Sequence, residues 1–105
     1  DSPIQEFLAG LDQKTYNRFL WSIEQLRVRN TLAREPLVRH LEGKIWELRR
    51  ESNTNIYRIL YAFLSGRRIL LLHGFRKKTQ KTPRAEIELA LMRLDDLLQE
   101  EGGDV

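Results

Sequence analysis

The chain has 105 residues, a length typical of one domain, and we expect a single domain over residues 1–105. Apolar residues make up 41% of it and charged residues 31%, proportions that exclude an intrinsically disordered chain. No apolar run approaches the roughly 20 residues of a transmembrane helix. Because cysteine is absent, the composition excludes disulfides and thiol nucleophiles, and it fits a reducing, cytoplasmic environment.

The net charge of +3 is unevenly distributed along the chain. Residues Arg39–Arg84 hold twelve Lys and Arg against three Glu, a local charge of +9. The rest of the chain holds six basic and twelve acidic residues, a charge of −6. A basic middle segment indicates a polyanionic partner, although a solvated charged surface explains the same composition.

Two helices are predicted at the start of the chain. The first begins at Ser2-Pro3, where Gln5 is placed to complete a capping box, and Gly10 offers its end. Asp12 caps the second helix. Apolar residues recur at helical spacing in both. They are Ile4, Phe7, Leu8, Leu11, Tyr16, Phe19, Leu20, Ile23 and Leu26.

From residue 44 the pattern changes to the period of two that is typical of strands. The predicted strands are Lys44–Arg49, which alternates in this way, and Ile56–Leu64 and Ile69–His73, which are apolar on both faces and are expected at the centre of the sheet. The last two are joined by a tight turn at Ser65-Gly66. No regular element is predicted over Asn30–Glu42.

A third helix is predicted after the strands. Thr82 caps it, Pro83 starts it, and Gly102-Gly103 ends it before a tail that we expect to be frayed. This order of elements predicts an α+β domain with an antiparallel sheet of at least three strands, two N-terminal helices and a C-terminal helix. The apolar helix faces either cover the sheet or accept a helix of a partner.

Conventional catalytic patterns are absent from the sequence. His40 and His73 lack partners at metal-ligand spacing, and no nucleophile elbow or phosphate-binding loop occurs. We interpret His73, at the end of an apolar strand, as structural. No metal site and no cofactor is predicted.

Arg58 is the most informative basic residue, because the strand that carries it is predicted to be central. A buried guanidinium needs an anionic partner to offset its desolvation. Arg58 therefore either forms a structural ion pair with Glu47 or lies on the floor of a phosphate site. Tyr57 and Tyr61 fall on the opposite face of the strand, and we expect both, like Trp46, to be core residues.

A group of cations follows the adjoining strand. Pairing across the tight turn places His73 or Gly74 opposite Arg58, so these loop cations emerge at the same end of the sheet as Arg58. Arg49 joins them if its strand pairs alongside. Cations that converge in this way can bind successive phosphates of one nucleic-acid strand. The loop cations are Arg76, Lys77, Lys78 and Lys81.

Four blocks of sequence also carry a family resemblance. They are Ser2-Pro3 with Glu6-Phe7-Leu8, Leu41–Arg49, Ile56–Tyr61 and Leu72–Pro83. In this order they resemble the toxins of type II toxin–antitoxin modules, and more narrowly the phage-derived HigB-like branch of the RelE/ParE superfamily. The resemblance covers nearly the whole chain.

The resemblance implies a RelE-like fold and an mRNA interferase, a ribosome-dependent endoribonuclease that cuts mRNA in the decoding site. It also implies a helix-turn-helix antitoxin as partner, in a complex that can assemble further. We expect metal-independent cleavage through attack of the RNA 2′-hydroxyl. By position in the family pattern, the expected catalytic residues are Arg58, Arg76 and Lys77. The expected RNA-binding residues are Arg49, Lys78, Lys81 and Lys44.

The chain departs from the family pattern at three points. Trp46 and Glu47 stand where some RelE proteins carry lysines. No tyrosine or histidine near the C-terminus is available for catalysis. Relatives usually carry a strand before the helical pair, and we expect an exposed sheet edge where that strand is missing.

Two other functions would use the same features. A ParE-like toxin shares the fold and inhibits DNA gyrase by binding it, without hydrolysis. The placement of Arg58 in a strand beside Arg76 favours the nuclease over this gyrase inhibitor. A pure interaction module would use its basic surface only to hold an acidic antitoxin.

Overall fold

The computed structural model of the protein describes residues 2–29, 37–52, 54–64 and 68–100. The turn at Ser65-Gly66, the helix end at Gly102-Gly103 and the tail, all predicted above, lie outside these residues. None of the described helices is long and apolar enough to cross a bilayer. In chain order the elements are α1 (Pro3–Ala9), α2 (Gln13–Arg29), β1 (Val38–Glu42), β2 (Ile45–Ser52), β3 (Asn55–Leu64), β4 (Arg68–Lys77) and α3 (Arg84–Glu100).

Local capping explains where the two N-terminal helices begin. Ser2 and Gln5 form the predicted capping box, with Gln5 N donating to Ser2 Oγ over 3.1 Å and Ser2 N donating to Gln5 Oε1 over 3.2 Å. At the start of α2 the Asp12 carboxylate accepts from Thr15 N over 3.1 Å. These bonds satisfy backbone donors that have no partner within the helix, and both predictions are confirmed.

The start of α3 corrects the prediction that Thr82 caps this helix. The helix begins at Arg84, and the Pro83 carbonyl accepts from Glu86 N over 3.1 Å. The Thr82 hydroxyl donates instead to the Glu47 carboxylate. The Thr82 hydroxyl is thus hydrogen-bonded to a buried carboxylate on β2 and does not cap α3. A capping pattern in the local sequence does not reveal this distant partner.

The four strands form one antiparallel sheet in the order β1-β2-β3-β4, which confirms the α+β class. Strand β1 is missing from the prediction because its residues do not alternate. Val38 is buried, Arg39 and His40 are both exposed, and a bulge interrupts the pairing with β2 beyond His40. Gly43 turns the chain into β2 with a φ of 54°, a conformation that costs glycine little.

Strands β3 and β4 pair in a register that differs from the predicted one. Arg58 lies opposite Phe75, and not opposite His73 or Gly74. Leu64 pairs with Arg68, which is one residue later in β4 than a two-residue turn would give. A bulge at Leu72 then displaces the pairing by one further residue. The end of β4 therefore extends past Arg58, which keeps the basic residues after Phe75 close to it.

Helices cover both faces of the sheet. The face that carries Arg58 packs against α3, where Ala90 and Leu94 are buried. The opposite face packs against α1 and α2, with Tyr61 fully buried and Trp46 and Tyr57 partly buried, as predicted for core residues. The apolar stripes of the helices are thus used to cover the sheet.

Gly74 allows α1 to approach β4 closely. The ring of Phe7 lies over it, where an added Cβ would come within 2.3 Å of the ring. Phe7 in turn makes edge contacts with Phe19 of α2 and Tyr57 of β3, each with ring centroids 6.1 Å apart. This contact ties both N-terminal helices to the sheet.

Candidate nucleic-acid interface

The sheet ends in an open cleft where β2 passes into β3, beside the last residues of β4. The cleft has a volume of about 760 Å³. Five of its described lining residues are basic and one, Glu51, is acidic. We call this surface the basic cleft. Its cations are Arg49, Arg58, Arg76, Lys77 and Lys78.

Arg58 is the most buried of these cations, with 4% of its surface exposed. Its Nη1 donates to its neighbour's carbonyl, Tyr57 O, over 2.9 Å. Among the described residues its buried Nε has no hydrogen-bond partner, and this atom lies 3.5 Å from Glu47 Oε1. Burial is the main cause that lowers the pKa of the guanidinium, and the charge of Glu47 opposes it. Arg58 is thus held at the cleft by the Tyr57 carbonyl and the Glu47 carboxylate.

Glu47 is the residue that positions Arg58, and it has only 1% of its surface exposed. Besides Arg58, it contacts Arg49, whose Nε lies 3.8 Å from Glu47 Oε1, and it accepts from Thr82. Arg58 forms the predicted ion pair with Glu47, and it also lines the basic cleft, so the phosphate site remains a prediction beside the ion pair. In the sequence, the buried position of Glu47 is indicated by its place between two apolar residues of a strand, Trp46 and Leu48.

Lys77 and Arg76 occupy opposite faces of β4. Lys77 pairs with Ile56 and lies on the same face as Arg58, whereas Arg76 pairs with Tyr57 on the other face. Burial, and then the positive charge of Arg58, lower the pKa of the Lys77 ammonium. Arg76 is exposed at the rim of the cleft, where its Nη1 donates to Asn55 Oδ1 over 3.4 Å.

Two of the seven predicted site residues do not line the basic cleft. Lys44 is exposed in the turn before Ile45, which pairs with Ala62 at the other end of the sheet. Lys81 is exposed in the loop before α3, where its carbonyl accepts from Thr79 Oγ1 over 2.6 Å. The structure brings together the other five.

Three polar contacts fix the start of α3 beside the sheet. Arg84 pairs with Glu42 of β1, and Thr82 donates to Glu47 of β2. On β4, His73 Nε2 lies 2.5 Å from Glu86 Oε1. Only the Thr82 contact reaches Glu47, the carboxylate that pairs with Arg58, whereas the other two hold α3 against β1 and β4.

His73 has the surroundings of a structural residue. Besides Glu86, its ring contacts Arg93, whose Nη1 lies 3.2 Å from His73 Nδ1 and also donates to Leu72 O over 2.9 Å. The ring stacks on Phe75 with centroids 5.3 Å apart. His73 therefore joins β4 to α3, and it does not line the basic cleft.

Comparison with known proteins supplies a family. Residues 6–95 match the family described as phage derived protein Gp49-like (DUF891), a RelE-related family associated with the toxins of toxin–antitoxin systems. No curated protein matches the chain.

Proposed function

The chain belongs to the Gp49-like family, and from this membership we propose that it is a toxin of the HigB-like branch, with a RelE-like fold, that cleaves mRNA on the ribosome. In this proposal it acts in the cytoplasm and is neutralised by a helix-turn-helix antitoxin. The ribosome and its mRNA are the other partners.

The convergence of five cations at one cleft is the observation that carries the proposal. A single strand of RNA presents one phosphate per nucleotide, and clustered Lys and Arg bind such a backbone without reading its sequence. Arg58 adds a guanidinium whose position is fixed by Glu47 before any ligand arrives. Donors fixed in advance are the ones that stabilise charge in a transition state.

The proposed reaction uses the RNA's own 2′-hydroxyl as nucleophile. The 2′ oxygen forms a bond to the adjacent phosphorus, the bond from phosphorus to the 5′ oxygen breaks, and the products are a cyclic phosphate and a free 5′-hydroxyl. Arg58 and Arg76 stabilise the negative charge on the phosphorus oxygens. Lys77 accepts the 2′ proton, a role that its lowered pKa favours, and a water molecule supplies the proton that the departing 5′ oxygen takes up to become the free hydroxyl.

The proposal is tested by mapping the 5′ ends of cellular mRNA after expression from a tightly controlled promoter. We expect new cuts inside translated messages and none in a matched message that lacks its start codon. The variant Lys14→Gln, on α2 and outside the basic cleft, serves as a control that cuts normally. Growth arrest with intact mRNA and altered DNA supercoiling would overturn the proposal in favour of a ParE-like gyrase inhibitor.

The lowered pKa of Lys77 gives the reaction a defined pH dependence. Because the neutral amine is the base, the single-turnover rate on purified ribosomes is expected to rise with pH and to level off below the ordinary lysine value of 10.5. In Lys77→Arg the charge is kept but the base is lost, so the rate falls about 10²–10⁴-fold and the rising limb disappears. A Lys77→Arg profile parallel to that of the unchanged protein would contradict this role.

A further inference from the structure

A second hollow adjoins the basic cleft on the side of α2. Its volume is about 310 Å³, and Arg49, Glu51 and Arg58 line both spaces. The second hollow is also lined by three residues that do not line the basic cleft, namely Arg18 of α2, Arg50 of β2 and Leu37. The two spaces therefore form one continuous surface on either side of Arg58.

The two additional arginines are held by neutral groups. Arg18 Nη1 donates to the carbonyl of Glu51 over 2.8 Å. Arg50 Nε donates to Ser22 Oγ over 2.9 Å, and its guanidinium lies 5.8 Å from the centre of the Trp21 ring. Over residues 2–29, 37–52, 54–64 and 68–100, no carboxylate pairs with either arginine, so their charges are fixed in place and not neutralised.

This arrangement favours an anion. Burial and the charge of Arg18 both lower the pKa of Arg50, so the charged form is held at a cost that a negative ligand would offset. Arg58 lines both spaces and therefore lies where they meet. Arg18 and Arg50, which no carboxylate of the described residues neutralises, lie at a hollow large enough for a phosphate, and a guanidinium can bind a phosphate through two parallel hydrogen bonds.

We propose that the hollow beside α2 binds a backbone phosphate of the same RNA strand that enters the basic cleft, with Arg18 and Arg50 as its ligands. The inference rests on the proposed function, because it extends the path of that substrate. A second phosphate site on the far side of Arg58 fixes the strand at two points around the bond to be cut. Two phosphate contacts, one on each side of this bond, position the reacting phosphate without contacts to the bases.

The test is the binding of a labelled single-stranded RNA of about 12 nucleotides whose 2′-O-methyl groups prevent cleavage. The variant Arg18→Gln/Arg50→Gln is compared with Lys14→Gln/Arg27→Gln, which removes the same charge from α2 outside the hollow. We expect the first to raise the Kd at least about tenfold and to reduce the slope of log K against log salt by about 0.7, the value for one phosphate on a single strand. The second is expected to bind like the unchanged protein, and thermal melts confirm that both fold.

Three results would overturn the inference. These are equal loss of binding in both double variants, unchanged binding in Arg18→Gln/Arg50→Gln, and no binding of this RNA by the unchanged protein. The nuclease proposal is judged separately by the mapping of mRNA ends. Bound RNA with a specific loss in Arg18→Gln/Arg50→Gln but uncut messages would leave the phosphate site standing and reject the nuclease.

Discussion

Replacing Arg58 with lysine is expected to lower the rate of mRNA cleavage on the ribosome by about 10²–10³-fold, the usual effect of removing one donor that stabilises transition-state charge. Lysine keeps a positive charge near Glu47, so the buried carboxylate stays paired and the fold survives. What it loses is the planar fork, with which a guanidinium can hold two oxygens of one phosphate. The measurement is single-turnover cleavage at saturating toxin, with a thermal melt of each variant.

The matched control is Arg27→Lys, an exposed arginine on α2 that pairs with Glu24. It makes the same chemical change away from the basic cleft and is expected to cleave at the normal rate. If Arg58→Lys also cleaved at the normal rate, Arg58 would be a structural residue alone. Arg58→Ala is the less useful variant, because it leaves Glu47 buried without its main partner and thus confuses loss of chemistry with loss of fold.

Replacing Glu47 with glutamine is expected to lower the free energy of unfolding by about 3 kcal/mol, because it leaves Arg58 as an uncompensated buried charge. Glutamine has nearly the same shape and can still accept from Thr82, so packing changes little. Cleavage is also expected to fall, since the guanidinium of Arg58 loses the contact that positions it. Urea unfolding with an unchanged m-value measures the stability.

The double variant Glu47→Met/Arg58→Met separates the two effects. A buried ion pair replaced by apolar residues of similar volume is often neutral in stability, so this protein is expected to unfold near the normal urea concentration. It is nevertheless expected to be inactive, because the phosphate ligand is gone. Normal stability in Glu47→Gln alone would show that the ion pair does not hold Arg58 in place.

Local signals in the sequence were sufficient for most of the fold. Capping residues and helical spacing located the helices, the alternation of apolar residues located β2, and runs that are apolar on both faces located β3 and β4. Strand β1 was missed because only Val38 is buried in it, and an edge strand with both Arg39 and His40 exposed has no period of two. The helix start at Thr82 was wrong because a distant carboxylate, Glu47, takes the hydroxyl.

The residues of the site were predicted only in part. Arg49, Arg58 and Lys77 are brought together because β2, β3 and β4 pair as neighbours, which hairpin order implies. Arg18 and Arg50 were not recognised, since one belongs to a helix and the other to the opposite face of β2. Their proximity depends on how α2 lies against the sheet, and no spacing in the sequence reports that packing.

The sequence by itself determined the types of all the elements except β1, the basic segment and the family resemblance, because each can be read from the order of residues along the chain without knowing how the elements pack. Only the tertiary structure decided which cations share a surface. The bulge at Leu72 shifts β4, so that Lys77 lies on the face of Arg58 and Arg76 on the other, while Lys44 is at the far end of the sheet. Strand register and helix packing are set by the whole core at once, and a single change of register moves every side chain to the opposite face.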